Sequence, residues 1–112
     1  MDSGKRAEAI ASRFLQDKGL ALLEANYRCR AGEIDLVLRD GDSIVFAEVR
    51  LRTNPNFGGA AASIDAAKRR RIVAAARHWL AGKRPPPCRF DVVLLESLDP
   101  PAIEWIRDAF SG

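Results

Sequence analysis

Cysteine and histidine are scarce in this chain: Cys29, Cys88 and His78 are all there is. Without a Cys-x-x-Cys pair these are too few soft ligands for a structural zinc centre, so a metal would have to be held by carboxylates. Both cysteines are read as buried thiols, because a 112-residue domain without a signal peptide seldom relies on a disulfide. Long apolar runs are missing as well. The longest stretch free of Asp, Glu, Lys and Arg is residues 53–64, 12 residues rich in Gly, Ala and Asn, whereas a membrane span needs about 20 apolar residues. The opening Met1-Asp2-Ser3-Gly4-Lys5-Arg6-Ala7-Glu8 has no apolar segment, so no secretory signal and a cytoplasmic location are expected. Repeats and low-complexity tracts are absent. What remains is a globular composition, 47% hydrophobic and 29% charged, at a length that suits one domain.

The net charge of +3 conceals a sharper asymmetry. Residues 1–62 carry nine basic and nine acidic side chains, residues 63–89 carry eight basic against Asp65 alone, and residues 90–112 carry Arg107 against five acids. A block of +7 in an otherwise nearly neutral chain produces a field that attracts polyanions. The same block would also suit a solvated helix face.

Ala7, Ile10, Ala11, Phe14 and Leu15 recur at helical spacing ahead of Gly19, predicting a helix over residues 5–18 with Glu8 on the flank of its apolar stripe. Residues 20–27 read as a first strand. Residues 33–39 and 42–50 read as two more, joined by a tight Asp40-Gly41 turn. The Ser63 hydroxyl is placed to cap a helix ending near residue 81, with Asp65 in its first turn. Its apolar stripe is Ile72, Ala75, Ala76, Trp79 and Leu80; Lys68 falls on the apolar side, and Arg70 and Arg77 on the opposite one. Gly82 and Pro85-Pro86-Pro87 end it. Residues 88–95 read as a central strand covered on both faces, and residues 103–106 as a short edge strand. This order predicts an α/β domain, a mixed sheet of four to five strands flanked by helices.

Strand parity decides which carboxylates meet. With Asp40-Gly41 as a two-residue loop, Asp35 opposes Phe46 and Glu33 opposes Glu48, so that Glu33, Asp35, Glu48 and Arg50 share one face. The other face is then wholly apolar: Ile34, Leu36, Leu38, Val45, Ala47, Val49 and Leu51. Facing carboxylates in strands are costly unless something holds them. A Mg²⁺ ion would do so, taking one or two carboxylates plus water and substrate phosphate. A salt bridge among Asp35, Glu48 and Arg50 is the alternative.

Gly32-Glu33-Ile34-Asp35-Leu36-Val37, Val45-Phe46-Ala47-Glu48-Val49-Arg50, Phe57-Gly58, Lys68 with Arg71, and Arg89-Phe90-Asp91-Val92-Val93 occur in an order that resembles the small bacterial YraN family. That family, of unassigned activity, is placed in the restriction-endonuclease-like PD-(D/E)xK superfamily, and the likeness spans residues 5–93. The resemblance implies a restriction-endonuclease-like fold with a core over about residues 5–96. It implies Mg²⁺ or Mn²⁺ held weakly by Asp35, Glu48 and the Val49 carbonyl, and a role for Glu8 like that of the first-helix Glu of junction-resolving members. The superfamily's Lys two residues beyond the Glu is Arg50 here. A guanidinium stays protonated at ordinary pH, so it stabilises developing charge but does not serve as a base. Some members carry the functional Lys on the following helix, the position of Lys68.

The expected function is a nuclease-like protein that binds DNA through Arg69, Arg70, Arg71 and Arg77 and hydrolyses phosphodiesters in structured or branched substrates. Glu8, Asp35, Glu48, Arg50 and Lys68 are its candidate catalytic residues. Nothing in the pattern reads bases, so selectivity would be for junctions, flaps or single strands. The alternatives are a non-catalytic DNA-binding or adaptor module that has lost the Lys, and a protein-interaction domain. No membrane partner is expected, and a homodimer is compatible with the sequence.

Overall fold

In a computed structural model, which describes residues 2–51, 64–84 and 86–112, the N-terminal apolar stripe becomes helix α1 (Ser3–Asp17). Asp2 caps it, its carboxylate accepting from the Lys5 N–H at 2.8 Å. At the other end Gly19 takes φ +99° while its N–H donates to Gln16 O and that of Leu20 to Leu15 O. This paired closure needs a left-handed residue, which is why Gly19 is there. Leu20 then buries beside Leu15.

Five strands follow in a sheet of order β1-β2-β3-β4-β5: β1 (Ala21–Cys29), β2 (Gly32–Asp40), β3 (Ser43–Leu51), β4 (Cys88–Leu98) and β5 (Pro101–Phe110). Helix α2 (Ala66–Leu80) crosses from β3 to β4, which pair in parallel; the other pairs are antiparallel. The fold is therefore the α/β domain expected, with a mixed sheet between two helices. One core lies under α1 and contains Ala7, Ala11, Leu15, Leu36, Leu38, Val45, Ala47, Val93 and Leu95. The second lies under α2, around Phe46, Phe90, Ile72 and Val37. Buried Val92, Val93, Leu94 and Leu95 fill both, so the apolar run in β4 is a strand covered on two faces.

Several expectations are corrected. Asp65, not a residue within the first turn, is the N-cap of α2, its carboxylate accepting from the Lys68 N–H at 2.7 Å. Ser63, Phe57 and Gly58 lie outside the described residues. The hairpin loop is Gly41-Asp42: Asp40 pairs with Ser43 and Leu36 with Ala47. Gly41 has φ +60°, as the first loop position of a primed turn requires. A displacement of the pairing by two residues preserves parity, so the faces survive although the partners change. Ile34 is the exception, packing on the α2 side with Val37 rather than on the α1 side with Leu36. Strand alternation breaks beside Asp35, whose neighbour across β1, Asn26, sits at φ +55°. The predicted edge strand extends over all of Pro101–Phe110. Neither cysteine is fully buried: Cys29 is half-buried, and Cys88, at the sheet's end, is exposed; both are free.

Candidate active site

The β2–β3 ladder stops at Leu36↔Ala47, one step short of setting Asp35 against Glu48. Two carboxylates directly opposed across a ladder repel; here the pairing ends before Asp35, whose side chain turns to the β3 backbone while staying beside Glu48. Its Oδ2 accepts from the Val49 N–H at 2.8 Å, in place of a ladder carbonyl. A strand residue's N–H and C=O project to the same edge, so the Val49 carbonyl also faces the gap beside Asp35.

Glu48 follows Ile44 and Phe46 on the α2 side and is only 4% exposed. Burial, then the hydrogen bond and charge of the adjacent Asp35 carboxyl, push its pKa up to about 8, against the pull of Lys68 and Arg50. Two cations reach Glu48 Oε2: Lys68 Nζ at 3.5 Å and Arg50 Nη2 at 3.4 Å. Lys68 arrives from the first turn of α2, where Asp65 holds its backbone. The expectation that Lys68 faces the sheet is thus met, with its side chain 23% exposed. Arg50 Nε is buried with no hydrogen-bond partner among the described residues.

Glu8 comes from the opposite side of the sheet, on α1. Desolvation raises its pKa, as does the charge of Asp35, while a hydrogen bond with Asn26 opposes the rise. Asp35 therefore stands between Glu8 on one face and Glu48, Arg50 and Lys68 on the other. Glu33 does not join them: it is exposed and pairs with Arg28 at 3.2 Å. Among the described residues no three His, Cys, Asp or Glu side chains gather as a ready-made metal cluster. The acidic groups that meet at the gap are Asp35 and Glu48, with Glu8 reaching Asp35 from the other face.

The basic block divides. Arg70 and Arg77 lie on the exposed outer face of α2, and Arg69 Nε donates to Ile64 O at 2.9 Å. Arg71 flanks the same side as Lys68 and lines a cleft with Arg28, Cys29, Gly32 and Glu33. Gly32 is obligatory for that approach, since a Cβ would lie 2.6 Å from the Arg71 carbonyl oxygen.

Two residues outside the predicted site set stand out, Asn26 beside the site and Asp91 in the sheet behind it. Asn26 looks like an ordinary polar strand residue, and only its left-handed backbone and its bond to Glu8 single it out. Asp91 is fully buried and accepts from Arg89 Nε at 3.1 Å, Trp105 Nε1 at 2.9 Å and the Asp108 N–H at 2.9 Å. An Asp inside an apolar strand run was its available signal.

The sequence model of the uncharacterised protein family UPF0102 matches residues 7–95. A UPF0102 protein of Methylobacillus flagellatus is 55% identical over 97% of this chain and 96% of its own length. One from Nitrosomonas europaea is 56% identical over 97% of this chain and 93% of its own. The matched span takes in Glu8, Asp35, Glu48, Arg50 and Lys68.

Proposed function

The chain belongs to the UPF0102 family, and on that footing we propose that it is a Mg²⁺-dependent, nuclease-like protein that binds DNA and hydrolyses phosphodiester bonds in structured or branched substrates. The observation that carries this reading is the convergence of Asp35, Glu48 and Lys68 from three elements on one gap in the β2–β3 ladder. It agrees with the resemblance to the PD-(D/E)xK superfamily drawn from the motifs.

The residues fit a divalent cation. Asp35 and Glu48 crowd two carboxyls into a poorly solvated site, and Glu48 is driven towards its neutral form for lack of enough positive charge. Asp35, Glu48 and the Val49 carbonyl would hold the ion, and Glu8 would complete its surroundings. Bound Mg²⁺ supplies Lewis acidity towards the phosphate and lowers the pKa of a water. Asp35 contributes a fixed carboxylate, anchored by the Val49 N–H. Lys68 presents an ammonium beside Glu48, where it neutralises charge developing on the reacting phosphate, and Arg50 adds a second, permanently charged donor from the same strand as Glu48. Lys68 thereby occupies the functional position that Arg50 vacates.

A second reading, a non-catalytic DNA-binding module, is favoured by one observation. Lys68 and Arg50 both pair with Glu48, an arrangement that also serves as a self-sufficient ion cluster. Cleavage of branched, single-stranded and duplex DNA with Mg²⁺ or Mn²⁺ separates the two. The enzyme cleaves at least one of them and loses this in Asp35→Ala and Glu48→Gln. A wild type that binds every substrate and cuts none leaves the binding module.

A further inference from the structure

In the cleft beside the site, Lys68 and Arg71 of α2 meet Arg28 of the β1–β2 hairpin. It has a volume of about 380 Å³ and is lined by Arg28, Cys29, Gly32, Glu33, Lys68 and Arg71. Three cations face one carboxylate there. Among the described residues Arg28 pairs with Glu33, and the two side chains are 77% and 49% exposed. Such a pair contributes little and exchanges readily for a better anion. The floor is backbone, because bare Gly32 sits against the Arg71 carbonyl, closer than any side chain would allow. Lys68 belongs to both places, lining the cleft while its Nζ lies 3.5 Å from Glu48.

From this arrangement we infer that the cleft is a phosphate subsite: it takes one sugar–phosphate unit of an unpaired strand, flanking the phosphate presented to Asp35 and Glu48. The inference rests on the nucleic-acid reading of that site. At about 380 Å³ the cleft is at the small end of ligand sites and has room for one nucleotide-sized group. Arg28 and Arg71 supply forked donors suited to phosphate oxygens. Arg70 and Arg77, on the outer face of α2, are turned away from a strand lying in the cleft. The sequence placed the whole basic block at the interface; the fold divides it, and adds Arg28 from another element.

The test uses thymidine 3′,5′-bisphosphate, titrated into the isotope-labelled full chain without divalent cation, followed by salt-dependent binding of a short oligothymidylate and of a duplex of equal length. Backbone amide shifts are expected at Cys29, Gly32 and Arg71 and are lost in an Arg28→Ala, Arg71→Ala variant. In that variant the log–log salt slope for the oligothymidylate falls by about 1.4, at about 0.7 for each phosphate on a single strand, and the duplex slope is unchanged. Arg28→Ala alone, at a largely exposed position, lowers the single-strand slope by about 0.7. Shifts confined to residues outside the cleft, or equal slopes in wild type and both variants, overturn the subsite. An equal fall on duplex overturns its assignment to an unpaired strand. If wild type binds DNA and only Arg70→Ala, Arg77→Ala weakens it, the subsite fails and the proposed function stands. If wild type binds no nucleic acid even at low salt, both fail.

Discussion

Glu48 carries the largest electrostatic conflict at the site, a buried carboxyl beside a second carboxyl and two incompletely desolvated cations. Its folded pKa, about 8, lies above the ordinary value of 4.5. The folded state therefore holds the proton more tightly than the unfolded chain, and the associated stability is complete below about pH 4.5 and lost as pH rises through 8. At about 1.4 kcal/mol for each tenfold change in proton affinity, the loss is a few kcal/mol. Glu48→Gln mimics the protonated form, so in the absence of divalent ions it should raise the urea midpoint at pH 8.5 and leave it nearly unchanged at pH 5. A variant less stable than wild type at both pH values would show that the ionised, cation-paired form is the stabilising one. Lys68 and Arg50 both touch Glu48 but differ in consequence. Lys68→Ala should lower cleavage by a factor of about 100 or more, the scale of removing one electrostatic donor at a reacting centre. Arg50→Lys should change it by less than about tenfold, since the guanidinium is an auxiliary charge. A large gain from Arg50→Lys with no loss from Lys68→Ala would return the role to the strand position.

At the scale of elements, most of the architecture was readable because it rests on periodicity. The α1 stripe, the Gly19 stop, the hairpin and the α2 stripe all follow from spacing alone. Asp35, Glu48 and Arg50 stay together, without Glu33, despite a mistaken loop assignment, because the pairing moved by an even number of residues. What escaped was whatever depends on contacts between distant segments. From the sequence Asp35 is one of a row of facing carboxylates, but that it caps the Val49 N–H depends on where the ladder ends. The length of β5 was underestimated because Asp108, at φ +51°, breaks its alternation, and the partner that satisfies the Asp108 N–H, Asp91, lies 17 residues away. Asp91 ties β4 to β5 through Trp105 and Asp108, and to the β2 hairpin through Arg89, which also reaches Asp40 at 3.0 Å. Removing it takes an acceptor from the half-buried Arg89 and Trp105 side chains and from the Asp108 N–H, while Arg89 keeps Asp40. Asp91→Ala should cost about 1–3 kcal/mol, the range for leaving hydrogen-bonding groups unsatisfied, and Asp91→Asn less, because it keeps an acceptor for Trp105. Equal urea midpoints for wild type and Asp91→Ala would remove this clasp from the account.

Across the whole molecule, the sheet works as a partition with an opening. Helix α1 brings Glu8 to one face, α2 brings Lys68 to the other, and Asp35 stands where the β2–β3 ladder parts. No helix among the described residues is long and apolar enough to cross a membrane. Positive charge gathers in one block of sequence, but the fold spends part of it on Glu48 and part on the outer face of α2, a division that helical spacing hinted at and only packing decides. The claim on which the rest depends is that Asp35 and Glu48 form one cation site. Calorimetric titration of Mn²⁺ at pH 7, with and without a short DNA, tests it most directly. Because burial and the adjacent Asp35 raise the Glu48 pKa, binding should release protons, visible as a dependence of the heat on the buffer's ionisation enthalpy. DNA should tighten the binding, and Asp35→Ala should abolish both the heat and the proton release. Identical Mn²⁺ titrations for wild type, Asp35→Ala and Glu48→Gln would contradict the account.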